Sequence, residues 1–253
     1  MVDATIHITP ALSSEGQNTR RIWLVRHGLT AWNTQQRFCG HRDVPLSELG
    51  RVQALWTAEQ LQKESICAIY TSDLVRARET AEIIAHYGTP AVPIRESAAW
   101  REIDFGDWEG LTYTQIVEQF KDQLGFFIDP EHRSPPNGES LAHMQQRVMD
   151  ALSAIPHNDD VPAAGDAVIV SHGGPLRILL CSTLGIVLQR QWQLRLDPGS
   201  LSAIDLLPVF GSSELRAILV LLNFQRPMSA DHAAKSPPSA GALFEKWQEQ
   251  GTM

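Results

Sequence analysis

The chain of 253 residues is 43% hydrophobic and carries 21 basic against 29 acidic side chains, a formal net charge of −8. This length suits one α/β domain with a substantial core, and the charge argues against bulk attraction to nucleic acid or an anionic membrane. No apolar run reaches the ~18 residues of a membrane span, and residues 1–19 lack the plan of a signal peptide. Three scattered cysteines indicate reduced thiols and a cytoplasmic protein.

Strand-like and helix-like segments alternate along the chain. This order predicts βαβ units, and we expect a three-layer α/β/α fold with a mainly parallel central sheet. Residues 1–19 are expected to form a flexible leader and residues 226–253 a mobile tail. The predicted strands cover 22–25, 66–70, 91–94, 167–170, 201–207 and 215–223, the last two as a possible hairpin across Gly211, and the predicted helices cover 47–62, 72–87, 113–124, 140–155 and 175–184.

Capping and periodicity predict which faces of the first two helices are buried. Ser47 is the expected cap of helix 47–62, and a Ser-Asp pair at 72–73 that of helix 72–87. Pro175 is expected at the first position of helix 175–184. The apolar positions predicted to face the core are Val52, Leu55, Ala58 and Leu61 in the first helix, and Leu74, Ala77, Ala81 and Ile84 in the second.

Two unbroken apolar strands each end at a histidine that is followed by glycine. Residues 22–25 lead into Arg26, His27 and Gly28, and residues 167–170 lead into Ser171 and His172. Apolar runs of this kind are typical of buried parallel strands, and open α/β sheets bind ligands at the carboxyl ends of such strands. The two imidazoles are therefore expected in one crevice, within about 10 Å of each other if they share one phosphoryl group.

The residue types around these histidines indicate an anionic substrate. A neutral imidazole can attack phosphorus, and the neighbouring Arg26 guanidinium can bind phosphate oxygens as a bidentate fork. His172 precedes a predicted helix, whose N-terminal amides favour an anion. Residues 20–51 carry six arginines against Asp43 and Glu48, a local charge of 6 − 2 = +4. Taken singly, His27 could instead be a buried histidine satisfied by hydrogen bonds, and His172 a turn residue.

Two further groups lie near the predicted sheet edge. Arg76 follows the second predicted strand by one helical turn, whereas Arg78 points elsewhere and suits a surface ion pair with a nearby glutamate. A loop at 100–110 combines four acids with aromatic residues, and a carboxyl group among aromatic rings could serve as a general acid. Spacing alone does not choose among these acids, which are Glu102, Asp104, Asp107 and Glu109.

Residues 24–33, Leu-Val-Arg-His-Gly-Leu-Thr-Ala-Trp-Asn, resemble the signature of the histidine phosphatase superfamily, also called the phosphoglycerate mutase-like family. Further stretches agree with it in family order, namely 38–40, 45–47, 71–77, 101–106, 138–140 and 171–173. Arg-His-Gly alone is a weak signal, but the ordered set is specific. The resemblance implies a phosphoglycerate mutase-like fold and a histidine phosphatase domain over residues 20–225. Leu29 stands where many members have Glu, and we expect no loss of chemistry from it.

The resemblance also implies roles for individual residues. His27 is implied to be the nucleophile that becomes phosphohistidine, and Glu102 the proton donor to the leaving oxygen and later the base for water. The other implied residues surround the phosphoryl group or bind the substrate: Arg26, Arg76, His172, Asn33, Cys39, Gly40 and Gly173. Two arginines can compensate the charge of a phosphoryl group in transfer, so neither a metal nor another cofactor is expected.

Within the family, the sequence favours a phosphatase over a mutase. Mutases carry paired arginines after the acidic loop, and residues 107–113 contain none. Residues 105–113, 129–130 and 135–140 resemble the α-ribazole phosphatase branch of cobalamin nucleotide-loop assembly, although broad-specificity phosphatases share the same motifs. We expect a small phosphorylated metabolite as substrate and a monomer or homodimer. Four aromatic residues could stack on a substrate base or pack in the core: Trp108, Tyr113, Phe126 and Phe127.

Other functional classes fit less well. A metal hydrolase would need closely spaced histidines or carboxylates, which occur at neither His27 nor His172. A serine hydrolase would need Gly-x-Ser-x-Gly, which is absent around Ser171. A non-catalytic module that binds phosphorylated ligands should have lost one of four residues, and the chain keeps all of them: Arg26, His27, Arg76 and His172.

Overall fold

The computed structural model describes residues 20–89, 92–155, 165–208 and 215–226. The predicted leader and all but the first residue of the predicted tail lie outside these ranges. Within them, no helix is both long enough and apolar enough to cross a bilayer.

A six-stranded sheet in the order β3-β2-β4-β1-β5-β6 forms the centre of the fold. Its strands are β1 (Arg20–Arg26), β2 (Ile66–Thr71), β3 (Ile94–Glu96), β4 (Asp166–Ser171), β5 (Leu201–Pro208) and β6 (Leu215–Phe224). The pairs β1·β4, β2·β4 and β2·β3 are parallel, whereas β5 is antiparallel to both of its neighbours. The mainly parallel sheet is confirmed, as is the antiparallel pairing of the last two strands. Their connection lies outside the described residues.

Helices cover both faces of this sheet, which confirms the three-layer α/β/α prediction. The helices are α1 (Ala31–Thr34), α2 (Glu48–Leu61), α3 (Val75–Tyr87), α4 (Tyr113–Gln119), α5 (Gly125–Ile128), α6 (Leu141–Ala154) and α7 (Gly173–Leu184). Short 3₁₀ helices occur at Ala98–Trp100, Gly106–Trp108 and Leu188–Gln193. One hydrophobic cluster includes side chains of α2 and α3, and a second includes side chains of α4 to α7.

Strand β1 is buried on both faces, and this explains its unbroken apolar run. Ile22 and Leu24 belong to the cluster that includes α6 and α7, whereas Trp23 and Val25 belong to the cluster that includes α2 and α3. Successive side chains of a strand point to opposite faces, so a central parallel strand needs apolar residues at every position. The histidine that follows this strand therefore leaves a rigid, fully packed element.

The predicted buried face of α2 is half wrong. Val52 and Leu55 remain 38% and 36% exposed, while Gln53 is buried. The Gln53 side chain accepts a hydrogen bond from the Leu29 amide at 2.8 Å and donates one to the Pro198 carbonyl at 3.1 Å. A polar side chain with its hydrogen bonds satisfied can be buried. The buried face of α2 therefore includes Gln53 in place of Val52 and Leu55. The predicted face of α3, by contrast, is confirmed at all four positions.

Three helix boundaries differ from the sequence prediction. Helix α7 begins at Gly173, with His172 as its N-cap, so Pro175 is its third residue and not its first. Helix α3 begins at Val75 with no side-chain cap, and the Ser72 hydroxyl instead accepts from the Leu74 amide. Helix α4 ends at Gln119 because the next residue leaves the helical region of φ and ψ. The Ser47 cap of α2 is confirmed.

Candidate active site

The register between β1 and β4 brings the two histidines together. Arg26 pairs with Ser171 in this parallel ladder, so the next residues, His27 and His172, leave the sheet side by side. The His27 amide donates a hydrogen bond to the Ser171 carbonyl at 2.9 Å, which extends the ladder by one step. The two imidazole rings lie 5.0 Å apart, centroid to centroid, and both are buried. The expected crevice is therefore formed by two adjacent strand ends.

Gly28 permits a very close approach between the histidine turn and α2. A Cβ atom at this position would lie 2.3 Å from the Gly50 carbonyl oxygen, a distance that real Cβ contacts do not reach. Any other residue would push the turn away from the helix. The glycine after His27 therefore keeps the His27 backbone seated against α2.

The environment of His27 leaves one ring nitrogen free for nucleophilic attack. Its Nδ1 lies 2.7 Å from the Gly28 carbonyl oxygen and therefore carries the hydrogen. Burial, followed by the positive charges of Arg76 and Arg26, holds the His27 pKa well below its usual value. The ring is thus neutral at physiological pH, and Nε2 carries an unshared electron pair. This is the protonation state that attack on phosphorus requires.

His172 presents a hydrogen-bond donor that no acceptor of the described residues satisfies. Its Nδ1 accepts a hydrogen bond from Nε of Arg76 at 3.2 Å, because a guanidinium can only donate. Burial, followed by the positive charge of Arg76, lowers the His172 pKa well below its usual value, so the ring is neutral. The hydrogen then lies on Nε2, which is buried and has no partner within the described ranges. A buried orphan donor of this kind is suited to an anionic ligand.

Arg76 is a buried cation held in one orientation. It is 1% exposed, and its terminal nitrogens donate to the Gly40 carbonyl at 2.7 Å and the Arg42 carbonyl at 2.9 Å. The carboxylate of Glu109 in turn accepts from the amides of His41 and Arg42 and so fixes this loop. Gly40, predicted as a substrate residue, therefore lies where its carbonyl oxygen positions Arg76.

Arg26 adds a second guanidinium to the same crevice. One of its terminal nitrogens donates to the Leu196 carbonyl at 2.6 Å. Its Nε is buried and, like Nε2 of His172, has no partner in the described part of the chain. These donors on a guanidinium and an imidazole, beside the unshared pair of His27, are suited to an anionic ligand.

Of the four acids in the loop at 100–110, Glu102 contacts the first turn of α7, the helix whose N-cap is His172. Its Oε1 accepts from the amides of Ile103 at 3.0 Å and Gly174 at 3.1 Å, the latter in the first turn of α7. The other three acids bind elsewhere: Asp104 to the Gly106 amide, Asp107 to the Asn137 side chain and Glu109 to the loop at 41–42. The contact with α7 thus distinguishes Glu102 from the three other acids of the loop, which spacing along the chain could not do.

The remaining predicted site residues lie around this crevice in different roles. Asn33 completes the capping box of α1, in which its Oδ1 accepts from the amide of the N-cap, Thr30, at 3.0 Å. Cys39 is half-buried, and burial raises the pKa of its thiol to about 11, so it is a poor nucleophile at neutral pH. Gly173 begins α7, where an added Cβ would lie 3.4 Å from Cζ of Arg26. Arg78, as expected for a surface residue, pairs with Glu82 and Glu96.

The four aromatic residues that could stack on a substrate base pack against one another. Trp108 and Phe126 are 0% and 2% exposed, so neither can stack on a substrate base. Phe127 stacks on Trp108 with centroids 4.9 Å apart, and Tyr113 packs edge-on against Phe127. The core alternative therefore holds for Trp108 and Phe126, whereas Phe127 and Tyr113 are half-buried and both alternatives stay open for them.

Sequence reasoning missed two arginines that contact this region from distant helices. Arg147 of α6 forms a bidentate pair with Glu139 and donates to the carbonyls of Ala99, Arg101 and Glu102. It thereby positions the backbone of the acidic loop. Arg177 of α7 lies beside Arg26. Neither stands in a local pattern that marks a site, and only the packing of α6 and α7 brings them near it.

The two buried neutral histidines predict a stability that falls at acidic pH. The unfolded chain binds protons on both near pH 6.5, whereas the native state, with its lowered pKa values, does not. Stability is therefore complete above pH 6.5 and is lost as the pH falls below it. Between pH 7 and pH 5, wild type should lose about 2 kcal/mol more of its free energy of unfolding than His27→Gln, measured by urea denaturation in phosphate-free buffer. Equal losses would contradict the neutral, buried His27.

Comparison with known proteins agrees with this geometry. The family profile of the histidine phosphatase superfamily (branch 1) matches residues 22–210, which include both histidine turns and the acidic loop. The chain belongs to this superfamily. Within the described residues, no group of three or more His, Cys, Asp or Glu side chains is arranged to hold a metal ion.

Several relatives in the superfamily carry different activity names. Phosphoserine phosphatase 1 of Hydrogenobacter thermophilus is 32% identical over 80% of this chain and 92% of its own length. A Cronobacter sakazakii protein named "Probable phosphoglycerate mutase GpmB" is 35% identical over 73% of this chain and 84% of its own. The crystal structure of the α-ribazole phosphatase from Shigella flexneri superposes with a TM-score of 0.69 at 26% identity, covering 83% of this chain and 100% of that one.

Proposed function

We propose that this chain is a phosphomonoesterase that works through a phosphohistidine on His27 and needs no metal ion. The observation that carries the proposal is the Nε2 electron pair of neutral His27 beside donors of Arg26 and His172 that have no acceptor among the described residues. A phosphoryl group bonded to His27 would supply those acceptors. Phosphoryl transfer depends mainly on positioning and on compensation of charge, and fixed guanidinium groups supply both.

In the first step, the Nε2 electron pair forms a bond to phosphorus while the bond from phosphorus to the ester oxygen breaks. The carboxyl group of Glu102 gives its proton to the departing oxygen, so the product leaves as an alcohol. Arg26, Arg76 and Nε2–H of His172 bind the three non-bridging oxygens. The ring of His27 becomes positively charged, and the Gly28 carbonyl, 2.7 Å from Nδ1, stabilises that charge through a hydrogen bond.

In the second step, water attacks phosphorus and the bond between phosphorus and Nε2 breaks. The carboxylate of Glu102 takes a proton from this water, which restores its protonated form, and inorganic phosphate leaves. His27 regains its electron pair. The amides of Ile103 and Gly174 hold the same carboxyl group for both steps.

The substrate is a small phosphorylated metabolite, and the relatives' names divide the candidates into two chemical groups. In phosphoserine and phosphoglycerates the leaving half carries a carboxylate, whereas in α-ribazole 5′-phosphate it is a nucleoside-like alcohol. Motifs at 105–113 and 135–140 support the latter, and with it a role in cobalamin biosynthesis. Three free cysteines support a reducing compartment such as the cytoplasm.

A mutase is the second candidate, favoured by the 35% identity to a protein of that name. A mutase returns the phosphoryl group of His27 to a sugar acid, whereas a phosphatase gives it to water. Residues 107–113 contain no arginine pair, which supports transfer to water. With 3-phosphoglycerate as substrate, release of inorganic phosphate without 2-phosphoglycerate would decide for the phosphatase.

A screen of phosphorylated metabolites in the presence of EDTA tests the proposed activity. The panel contains α-ribazole 5′-phosphate, phosphoserine, 3-phosphoglycerate and sugar phosphates, with phosphate release as the readout. We expect undiminished turnover in EDTA and a preference of at least about tenfold for one chemical group. Activity abolished by EDTA would contradict the metal-independent mechanism, and comparable rates on every ester would contradict a cobalamin role.

A further inference from the structure

Arg177 is a buried cation that has no anionic partner in the part of the chain that the structure describes. It is 8% exposed, and within the described residues it makes no hydrogen bond or ion pair, with Nε buried and unsatisfied. Arg147 of α6 differs from Arg177, because it donates to one carboxylate and three carbonyls and so has a structural role. A buried guanidinium that the fold leaves unpaired is costly unless a ligand pairs with it.

The position of Arg177 places it beside the active site on the side of the proton donor. A Cβ atom added to Gly173 would lie 3.2 Å and 3.5 Å from the terminal nitrogens of Arg177 and 3.4 Å from Cζ of Arg26. Burial lowers the Arg177 pKa to about 10, and the charges acting on it are foremost those of Glu102 and Arg26. The amide of Gly174, the residue after Gly173, donates to Glu102 at 3.1 Å. Arg177 and Glu102 therefore both reach the first turn of α7.

Trp192 holds this guanidinium in place. The Cζ atom of Arg177 lies 4.9 Å from the centroid of the Trp192 ring, a cation–π contact, and the indole is itself half-buried. Stacking fixes the plane of the guanidinium and leaves its in-plane N–H donors for a ligand. Two parallel N–H groups match the two oxygens of a carboxylate or two oxygens of a phosphate.

We propose that Arg177, stacked on Trp192, binds an anionic group on the leaving half of the substrate, either a carboxylate or a second phosphate. The inference rests on the proposed phosphatase function and extends it to a substrate class. Glu102, the proposed proton donor, must face the departing oxygen, so a cation held at the same turn of α7 can reach the leaving half of the substrate. The proposal favours phosphorylated acids or bisphosphates, whereas the motifs at 105–113 and 135–140 favour α-ribazole 5′-phosphate.

Substrate pairs that differ in one anionic group test the proposal. Phosphoserine against phosphoethanolamine, and 3-phosphoglycerate against glycerol 1-phosphate, isolate a carboxylate, whereas fructose 1,6-bisphosphate against fructose 6-phosphate isolates a second phosphate. Wild type should prefer the anionic member of at least one pair by about 10- to 100-fold in kcat/KM, the range of a charge-assisted hydrogen-bond pair. A ratio near one for every pair would overturn the proposal, whatever the folding of any variant.

Arg177→Met then assigns that preference to the residue. Its ratio of kcat/KM within the preferred pair should fall about 10- to 100-fold, and Arg177→Lys, which keeps the charge without the planar fork, should fall less. Arg190→Met, an exposed arginine of the same 3₁₀ turn as Trp192, should keep the wild-type ratio. An unchanged ratio in Arg177→Met would overturn the proposal. Loss of activity toward every ester in His27→Gln tests the phosphatase function separately.

Discussion

His27→Gln is expected to lower kcat on p-nitrophenyl phosphate by about 10⁴-fold or more, as removal of a covalent nucleophile does in other enzymes. The Gln side chain retains hydrogen-bonding groups but has no basic ring nitrogen, so no covalent intermediate can form. The substrate should still bind, because the guanidinium groups of Arg26 and Arg76 remain. Phosphate release at saturating substrate measures this loss.

His86→Gln is the matched control for this experiment. His86 lies exposed on α3, and its ring packs against Tyr87. The same substitution there should leave kcat at the wild-type value. If His27→Gln, folded by circular dichroism, keeps more than a hundredth of the activity, then attack by His27 is not the chemical step.

Glu102→Gln should impair alkyl phosphates much more than p-nitrophenyl phosphate. Loss of a general acid lowers the rate by about 10²- to 10⁴-fold when the departing oxygen needs a proton. An alkoxide is a poor leaving group and needs that proton, whereas p-nitrophenolate departs readily without it. The readout is kcat/KM, which reports the first chemical step and excludes hydrolysis of the phosphoenzyme.

Asp107→Asn provides the control within the same loop. Asp107 is exposed and bonded to Asn137 at 3.0 Å, so its loss should affect both substrates little. Equal losses of kcat/KM on alkyl and aryl phosphates in Glu102→Gln would contradict its role as proton donor. A large effect of Asp107→Asn would show instead that another acid of the loop supplies the proton.

The sheet and the histidine pair follow from features that are local in sequence. The apolar runs at 22–25 and 167–170 predict buried parallel strands, and topology alone then places the two residues that follow each run at the same edge of the sheet. The juxtaposition of His27 and His172 therefore needed no tertiary information beyond strand adjacency. The choice of Glu102 did need it, because four acids share one loop and only contact with the first turn of α7 separates them.

The features that sequence did not predict depend on packing between distant elements. Gln53 orients α2 through hydrogen bonds to Leu29 and Pro198. These partners lie 24 and 145 residues away along the chain, so no local pattern indicates them. Arg147 and Arg177 read as ordinary helical arginines until α6 and α7 are placed against the sheet. Long polar side chains reach several residues from their own backbone, so their partners cannot be inferred from spacing along the chain.

Direct detection of the phosphoenzyme tests the central claim most closely. In Glu102→Gln mixed with p-nitrophenyl phosphate, transfer to the enzyme remains fast while hydrolysis lacks its base, so the intermediate should accumulate. An alkaline quench, which preserves phosphohistidine, followed by peptide mass spectrometry should find about one phosphoryl group per chain on His27. A phosphoryl group on any other residue, or turnover by wild type with none ever bound to His27, would contradict the account.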